Sequence, residues 1–421
     1  MQNSKFKMEK QKIKIKNQNI LIIFLFLFLI NNCWSRIFLH ITKNFNEKAE
    51  IVILLPYEET PYWKTFLFTL KQDLEYSGYF LVPTAKFVND ISSEKKNFSV
   101  ELVLSSEKVG ENIKFIIEDL LDNEKLFEKE FSIHTNPKVF AHIVNDEIIF
   151  SLTGKPGIAT SKIAFVSDKT GSYQIYMIDY DGENEIQITD EKFHIDYPTW
   201  LEVYKSLILV SYQKGWPQLV KFDIYKKSIT TLLGEPGLNA CADVCKKTKE
   251  IAVVLSKSGD PEIYITDFNG KNIKRITYYK GVDSSPSFSP NGDMIAFVSD
   301  RQGSPQIYIM NRDGFKIKRI SYGSPYATSP SWSPDGELIA YVSRKSGNFE
   351  LLIYEIKTQK TIMLGDTFGN EEISWAPDSR HIVYSKVNKK PYSLWIVDIY
   401  TKEQRRLTSP GYNCFSPAWA N

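Results

Sequence analysis

Pro286-Ser-Phe-Ser-Pro-Asn-Gly292 returns 44 residues later as Pro330-Ser-Trp-Ser-Pro-Asp-Gly336, then in worn form as Ile373-Ser-Trp-Ala-Pro-Asp-Ser379. A fragment of the same phrase, Ser416-Pro-Ala-Trp-Ala-Asn421, ends the sequence. A fixed period dictates architecture before any single residue is interpreted. Three columns of residues share it. Ile163, Leu207, Ile251, Ile295, Ile339 and Ile382 follow one another at intervals of 44, 44, 44, 44 and 43. Asp179, Asp223, Asp267, Asn311, Glu355 and Asp398 form the second column, and Trp200, Val244, Phe288, Trp332, Trp375 and Trp419 the third.

Within one unit the pattern predicts four short strands, Pro286–Ser289, Met294–Ser299, Gln306–Asn311 and Lys316–Ser321 in the fourth. Turn residues separate them, and Asp181-Gly182, Asn269-Gly270 and Asp313-Gly314 recur at one place, as tight hairpins require. The second strand, such as Met294-Ile-Ala-Phe-Val298, is apolar on both faces, which fits a strand covered on both sides. Four-stranded units of about 40–45 residues are propeller blades. The columns count six of them. The first unit begins at Ile163 with no Pro-x-Trp strand before it, and Pro417-Ala-Trp419 is left over at the end. The C-terminal strand is therefore expected to complete the first blade. The fold expected is mainly β: a six-bladed β-propeller over 154–421, preceded by a small α/β domain over 36–153.

The N-terminus is of another kind. Residues 1–19 carry six lysines and one acid, Glu9, ahead of the apolar run Ile20–Ile30. Eleven residues are too few for a bilayer, which takes about twenty. A basic segment, a short apolar core and a small-residue exit describe a secretory signal peptide over 1–35, with an uncleaved anchor as the alternative. Its removal takes the formal charge from +2 to −3, so the overall basicity belongs to the targeting segment and no nucleic-acid surface is indicated. Cys241, Cys245 and Cys414 remain. The first two would sit about 13 Å apart on one strand at ~3.3 Å per residue, beyond disulfide reach. The five histidines form no ligand pair near them, so buried small residues are expected and no metal site.

Residues 36–150 lack the repeat. Strands are expected at Arg36–Lys43, Glu50–Tyr57, Tyr79–Val82, Phe98–Ser105, Asn112–Leu120 and Leu126–Ile133. Thr60-Pro61 opens a helix whose stripe is Phe66, Leu67, Leu70 and Leu74, with Gly78 ending it. A second helix is expected over 137–152, and Thr153-Gly-Lys-Pro-Gly157 forms the linker.

No catalytic constellation stands out. The sequence has no Gly-x-Ser-x-Gly elbow, phosphate loop or His-Glu-x-x-His. Each residue of the acidic column ends a third strand before a turn, where it would satisfy backbone donors. Basic residues recur in the loop after each second strand: Lys169, Lys214, Lys257, Arg301, Arg344 and Lys386. The loops between blades share that face and carry Asp196, Glu235, Asp283, Asp366, Glu371 and Glu372. Aromatic anchors stand among them: Tyr173, Trp216, Tyr326, Phe349 and Phe368. A mixed charged rim suits protein or peptide docking; merely solvated loops are the alternative.

The order of these parts resembles the TolB family of the bacterial Tol–Pal envelope system. The resemblance rests on the signal peptide, a first domain containing Asp73-Leu-Glu-Tyr-Ser-Gly-Tyr-Phe80, the linker Leu152-Thr-Gly154, six Pro-x-Trp blades and the terminal Pro417-Ala-Trp419. It implies a periplasmic adaptor that is not an enzyme and carries no cofactor. Its partners would be the peptidoglycan-associated lipoprotein Pal on the loop face and TolA through the mature N-terminal segment, in support of envelope integrity and cell division. Transferred position by position, the Pal-sensitive residues are Leu238, Cys241 and Ser284. The TolA-facing segment is Arg36–Asn46, led by Arg36, Ile37, Phe38 and Leu39. Lys169, Lys214, Trp216, Asp283, Arg301, Tyr326, Arg344 and Glu371 complete the expected partner-binding face. Blade three departs from the pattern at Ala242-Asp-Val-Cys-Lys-Lys-Thr248, and the region between Tyr79 and Phe98 leaves a reduced helix. Calcium in the channel is a family analogy without a loop of dedicated ligand spacing. The competing reading is a propeller enzyme or carbohydrate-binding module that uses the central channel.

Overall fold

An apolar second strand is stable in this repeat only if both of its faces are covered, and the blades supply that cover to one another. The structure, a computed structural model, describes residues 47–345, 347–368, 372–386 and 391–420, with only the backbone for 365–368. The signal peptide, the strand expected at Arg36–Lys43, the segment Arg36, Ile37, Phe38 and Leu39, and Glu371 lie outside the described residues. The chain forms two compact units that divide between Lys155 and Pro156. Among the described residues no helix is long and apolar enough to cross a membrane.

The second unit holds six antiparallel four-stranded sheets. Blade four runs Asp283–Phe288, Met294–Ser299, Gln306–Asn311 and Lys318–Arg319, hydrogen-bonded in that order. Ile163, Leu207, Ile251, Ile295, Ile339 and Ile382 are all fully buried on the second strands. The aromatic column is buried too, except at blade three, where Val244 is half-buried. Cys414–Trp419 pairs with Lys162–Ser167, Trp419 opposite Ile163, and so supplies the innermost strand of blade one. The Trp419 indole donates to Ser161 Oγ at 2.7 Å.

Two boundaries in blade four differ from the sequence reading, and in the first unit the strand expected at Phe98–Ser105 runs over Leu102–Val109. The innermost strand of blade four begins at Asp283 instead of Pro286, because a bulge lets the chain pair on both sides of the proline. The outermost strand shrinks to Lys318–Arg319, since it has a partner on one side only. The acidic column does cap turns: Asp223 Oδ1 accepts from the N–H groups of Tyr225 and Lys226, and Asp398 Oδ1 from those of Tyr400 and Thr401.

The first unit is a mixed sheet with helices. Strand β1 (Ala49–Leu55) pairs in parallel with β2 (Phe80–Leu81), β3 (Ala85–Phe87) and β4 (Leu102–Val109). Strands β5 (Asn112–Asp119) and β6 (Glu124–Ser132) extend β4 antiparallel. Helix α1 (Pro61–Tyr76) starts where Thr60 Oγ1 accepts from Trp63 N–H, and Gly78 follows its end at φ 78°. The short helix α2 (Ile91–Lys95) occupies the region expected to be reduced. Helix α3 (Pro137–Thr153) is capped by Asn136 and stops at Gly154, φ 70°. Phe66, Leu70 and Leu74 of α1 and Phe140, Val144 and Ile148 of α3 share one core with Ile51, Ile53 and Phe115. Inside it His142 Nδ1 meets Asp73 Oδ2 at 2.7 Å, so the two helices are also tied by a buried polar pair.

The turn between the third and fourth strands locks one blade to the preceding one. At Gly314, φ is 89°, and a Cβ would stand 2.0 Å from the Ile276 carbonyl oxygen of blade three. Gly303 has nearly the same backbone, φ 91°, with nothing within 4 Å of an added Cβ. Left-handed strain alone costs about 1–2 kcal/mol. Gly303→Ala should therefore lose about that much in urea unfolding. Gly314→Ala should lose clearly more, because backbone must also move; equal losses would mean that this close approach does not hold the blades.

Candidate functional site

The innermost strands create the site through a fault that recurs in them. In five blades the pairing of the first two strands slips at the same place, and the residue there is left-handed: Tyr197, Cys241, Ser285, Ser329 and Ser416, at φ 51°, 51°, 49°, 51° and 47°. None is glycine, so each holds strain of about 1–3 kcal/mol. The proline of the phrase follows directly at 198, 286, 330 and 417, where its missing N–H breaks no ladder bond. Glu372 occupies the corresponding position in blade six by sequence interval. These six side chains line an axial cavity of about 440 Å³.

Behind them, side chains tie each innermost strand to the next. Thr199 Oγ1 donates to Ala242 O at 3.0 Å. Asp243 Oδ2 accepts from Phe288 N–H at 2.6 Å, Ser287 Oγ from Trp332 N–H at 3.0 Å, and Ser374 Oγ from Trp419 N–H at 2.9 Å. The remaining two junctions use indoles: Trp375 donates to Ser331 O at 2.9 Å and Trp200 to Ala418 O at 3.0 Å. Blade three, which has lost the phrase, makes its tie through a carboxylate. Burial pushes Asp243 up to about 6, against the pull of the Phe288 and Val244 N–H groups.

At the mouth, Ser416 joins two acids. Its N–H donates to Glu372 Oε2 at 2.9 Å and its hydroxyl to Asp196 Oδ1 at 3.0 Å. Burial raises the Asp196 carboxyl despite His194, whose Nε2 lies 3.5 Å from Oδ2. The His194 ring stands edge-on to Tyr173 at 4.8 Å and to Tyr212 at 5.2 Å, and Tyr173 meets Phe415 at 5.1 Å. Tyr197 remains substantially exposed, its phenol held above its ordinary range by burial and then by Glu372 and Asp196. Of this aromatic mouth only Tyr173 belongs to the anchors read from the loops. The 44-residue column through Ser285 and Ser329 could have found Tyr197; nothing local marks His194, Tyr212 or Phe415.

The expected rim is corrected in several places. Arg301 donates to both oxygens of Asp283 at 3.0–3.1 Å and packs over Tyr308, Phe297 and Tyr279. Asp283 is 0 % exposed, so neither partner is a free docking charge. Burial raises the Asp283 carboxyl, Ser299 and Arg301 counter it, and Glu262 adds to the rise. Lys169 is paired with Glu185 at 2.6 Å, and Lys257 with Glu235 at 3.2 Å. Lys386 donates to Gln404 and lies over Trp395. Cys241 and Ser284 are half-buried, Cys241 in the cavity wall. Among the described residues the three cysteines are free, and Cys245 and Cys414 are buried as expected. What stays open is Lys214 and Arg344, exposed and without an ion pair among the described residues, with Trp216 half exposed, Leu238 at the surface and Tyr326 partly so. Among the described residues no cluster of three His, Cys, Asp or Glu is placed to hold a metal.

The chain matches the family model described as TolB beta propeller domain over residues 150–421. It is 30% identical over 131 residues to the Tol-Pal system protein TolB of Anaplasma marginale, covering 30% of this chain and 30% of that one. To the Tol-Pal system protein TolB of Legionella pneumophila it is 27% identical over 183 residues, or 40% of this chain and 44% of the relative. These sequence matches thus span under half of either relative. The crystal structure of TolB from Acinetobacter baumannii superposes with a TM-score of 0.78 at 25% identity, covering 89% of this chain and 97% of that one.

Two substitutions separate the roles on the loop face. Arg301→Ala leaves the Asp283 carboxylate buried and unpaired, which costs about 3–5 kcal/mol; Lys214→Glu should leave the melting temperature unchanged. At the axis, an acid whose folded pKa exceeds its unfolded value destabilises once it ionises. Asp243 should impose no penalty below pH ~4 and its full penalty above pH ~6, on the order of 3 kcal/mol. Asp243→Asn should accordingly gain stability over the parent as pH rises through that window; a pH-independent difference would refute the assignment.

Proposed function

The chain belongs to the TolB β-propeller family, and on that premise we propose that it is a non-enzymatic adaptor of a Tol–Pal-type envelope complex. Export through the signal peptide would place it in the periplasm. The propeller's loop face would bind a Pal-like lipoprotein, and the segment Arg36–Asn46 would engage a TolA-like inner-membrane protein, in support of envelope integrity and cell division. The observation that carries the loop-face assignment is the composition of its mouth. Tyr197, Tyr212, Tyr173 and Phe415 gather beside Glu372 and Asp196, with Lys214 and Trp216 outside them. Aromatic anchors within a charged rim are what a protein partner uses for affinity and for steering, respectively.

A channel enzyme is the less favoured reading. The perturbed channel acid, Asp243, is engaged by a backbone N–H of the neighbouring blade, and its shift follows from that burial. Among the described residues no histidine lines the cavity with the recurring hydroxyls Ser285, Ser329 and Ser416; His194 is linked to the Ser416 hydroxyl by way of Asp196.

Binding kinetics with the soluble domain of a Pal-like lipoprotein test the assignment. Lys214→Glu with Arg344→Glu should slow association several-fold at low ionic strength and converge on the parent at high salt. Trp216→Ala should speed dissociation, a loss of about 2 kcal/mol if it is an anchor. Unchanged rates in both variants would remove this face from the interface. Glycan binding or substrate turnover without lipoprotein capture would replace the adaptor reading altogether.

A further inference from the structure

Charge is distributed unevenly around the propeller's circumference. The outer edge of blade one carries Asp181, Glu183, Glu185, Asp190 and Glu191, with no lysine or arginine between residues 181 and 191. Blades three and four carry the opposite sign. Residues 268–282 hold Lys271, Lys274, Arg275 and Lys280 and no acid; residues 314–326 hold Lys316, Lys318 and Arg319 and no acid. Two of these cations already meet acids, Lys274 with Asp313 at 3.3 Å and Arg275 with the buried Glu262 at 2.6 Å. Lys271, Lys280, Lys316, Lys318 and Arg319 have no ion pair among the described residues. This concentration is local, because the chain beyond residue 35 is net negative.

Cations on an outermost strand have an ordinary explanation: they discourage edge-to-edge pairing of sheets. Here that explanation covers only half of what is present. The same two edges expose Tyr278 at 77%, Phe315 at 68%, Tyr322 at 68% and Ile317 at 40%. Exposed apolar side chains work against edge protection. The tyrosines are also held in place: Tyr278 lies 4.6 Å from the Arg275 guanidinium and its hydroxyl donates to Arg275 O at 3.2 Å. Tyr322 repeats the arrangement on Arg319 at 5.0 Å and 3.1 Å. Ordered aromatic rings among flexible lysines form a surface that is both apolar and cationic.

We propose that the outer edge of blades three and four docks on an anionic lipid headgroup layer. Lysines extend to phosphates while their stems and the tyrosine rings lie in the apolar boundary beneath. The acidic edge of blade one on a second copy would match the charge, but it offers Ile186 as its exposed large apolar side chain, and Glu185 is already taken by Lys169. Phe315, Ile317, Tyr278 and Tyr322 would then face carboxylates. A lipid surface satisfies both components at once.

Flotation of the full mature chain with vesicles tests this directly. The protein should float with phosphatidylglycerol-containing vesicles, stay behind with phosphatidylcholine alone, and release at high salt. Each lysine is worth roughly fivefold in partitioning near such a surface, so Lys274→Gln with Lys318→Gln should lower it by roughly 25-fold. Tyr278→Ser with Phe315→Ser should weaken it further, with unchanged melting in both variants. Equal flotation with neutral vesicles, or no response to these substitutions, would overturn the proposal. Retention on polyglutamate without flotation would assign the edge to an acidic polypeptide instead. Self-association in sedimentation that the lysine variant abolishes would assign it to a second copy.

Discussion

Around the axis each innermost strand is joined to the next by a hydrogen bond that a short side chain or an indole supplies. Thr199, Asp243, Ser287, Ser374, Trp375 and Trp200 between them serve every junction of the ring. The rest of the propeller depends on this circle. A blade with an apolar second strand cannot stand alone, and it gains cover on both faces only when the ring is complete. Completion falls to Cys414–Trp419, which both pairs with Lys162–Ser167 and receives the ties of Ser374 and Trp200 at the seam.

The same strands that close the ring hold the strain that shapes its channel. A bulge, beside the proline in four blades and without one at Cys241, turns one residue left-handed and directs it into the cavity wall, at a cost the surrounding hydrogen bonds must sustain. Five such residues repeat around the axis. Channel lining and ring closure are therefore properties of one short segment, and a change in the phrase affects both. Blade three illustrates the coupling: it lacks the proline and the large aromatic, yet Asp243 keeps the tie to Phe288 by accepting burial of a carboxylate.

On the loop face, charge seen in sequence and charge available to a partner are different quantities. Arg301 and Asp283 are paired and covered, and Lys169 and Lys257 each meet an acid of their own neighbourhood. Such pairs organise loops at the cost of desolvating both partners. The free charge left on that face is small, and the aromatic mouth from Phe415 to Tyr212 takes the larger share of the surface character. Away from that face, the outer edge of blades three and four gathers cations with few acids to neutralise them.

Sequence periodicity alone determined the blade count, the identity of the buried second strands, the turn positions and the orphan strand that closes the ring, because each is a local pattern repeated at one interval. The first helix of the first domain was legible from a local signal of another kind, Thr60-Pro61 at its start and Gly78 at its end; the Asn136 cap of the last helix emerged only in the structure. Tertiary structure decided the rest. Whether Arg301 meets solvent or Asp283, whether Ser285 faces a channel, and whether Asp243 ties two blades depend on groups 18 to 45 residues away in sequence. Period predicts a residue's neighbours along a strand and its equivalents around the ring. It cannot predict the partner that a side chain meets across a blade junction, since that contact exists only after the ring has closed.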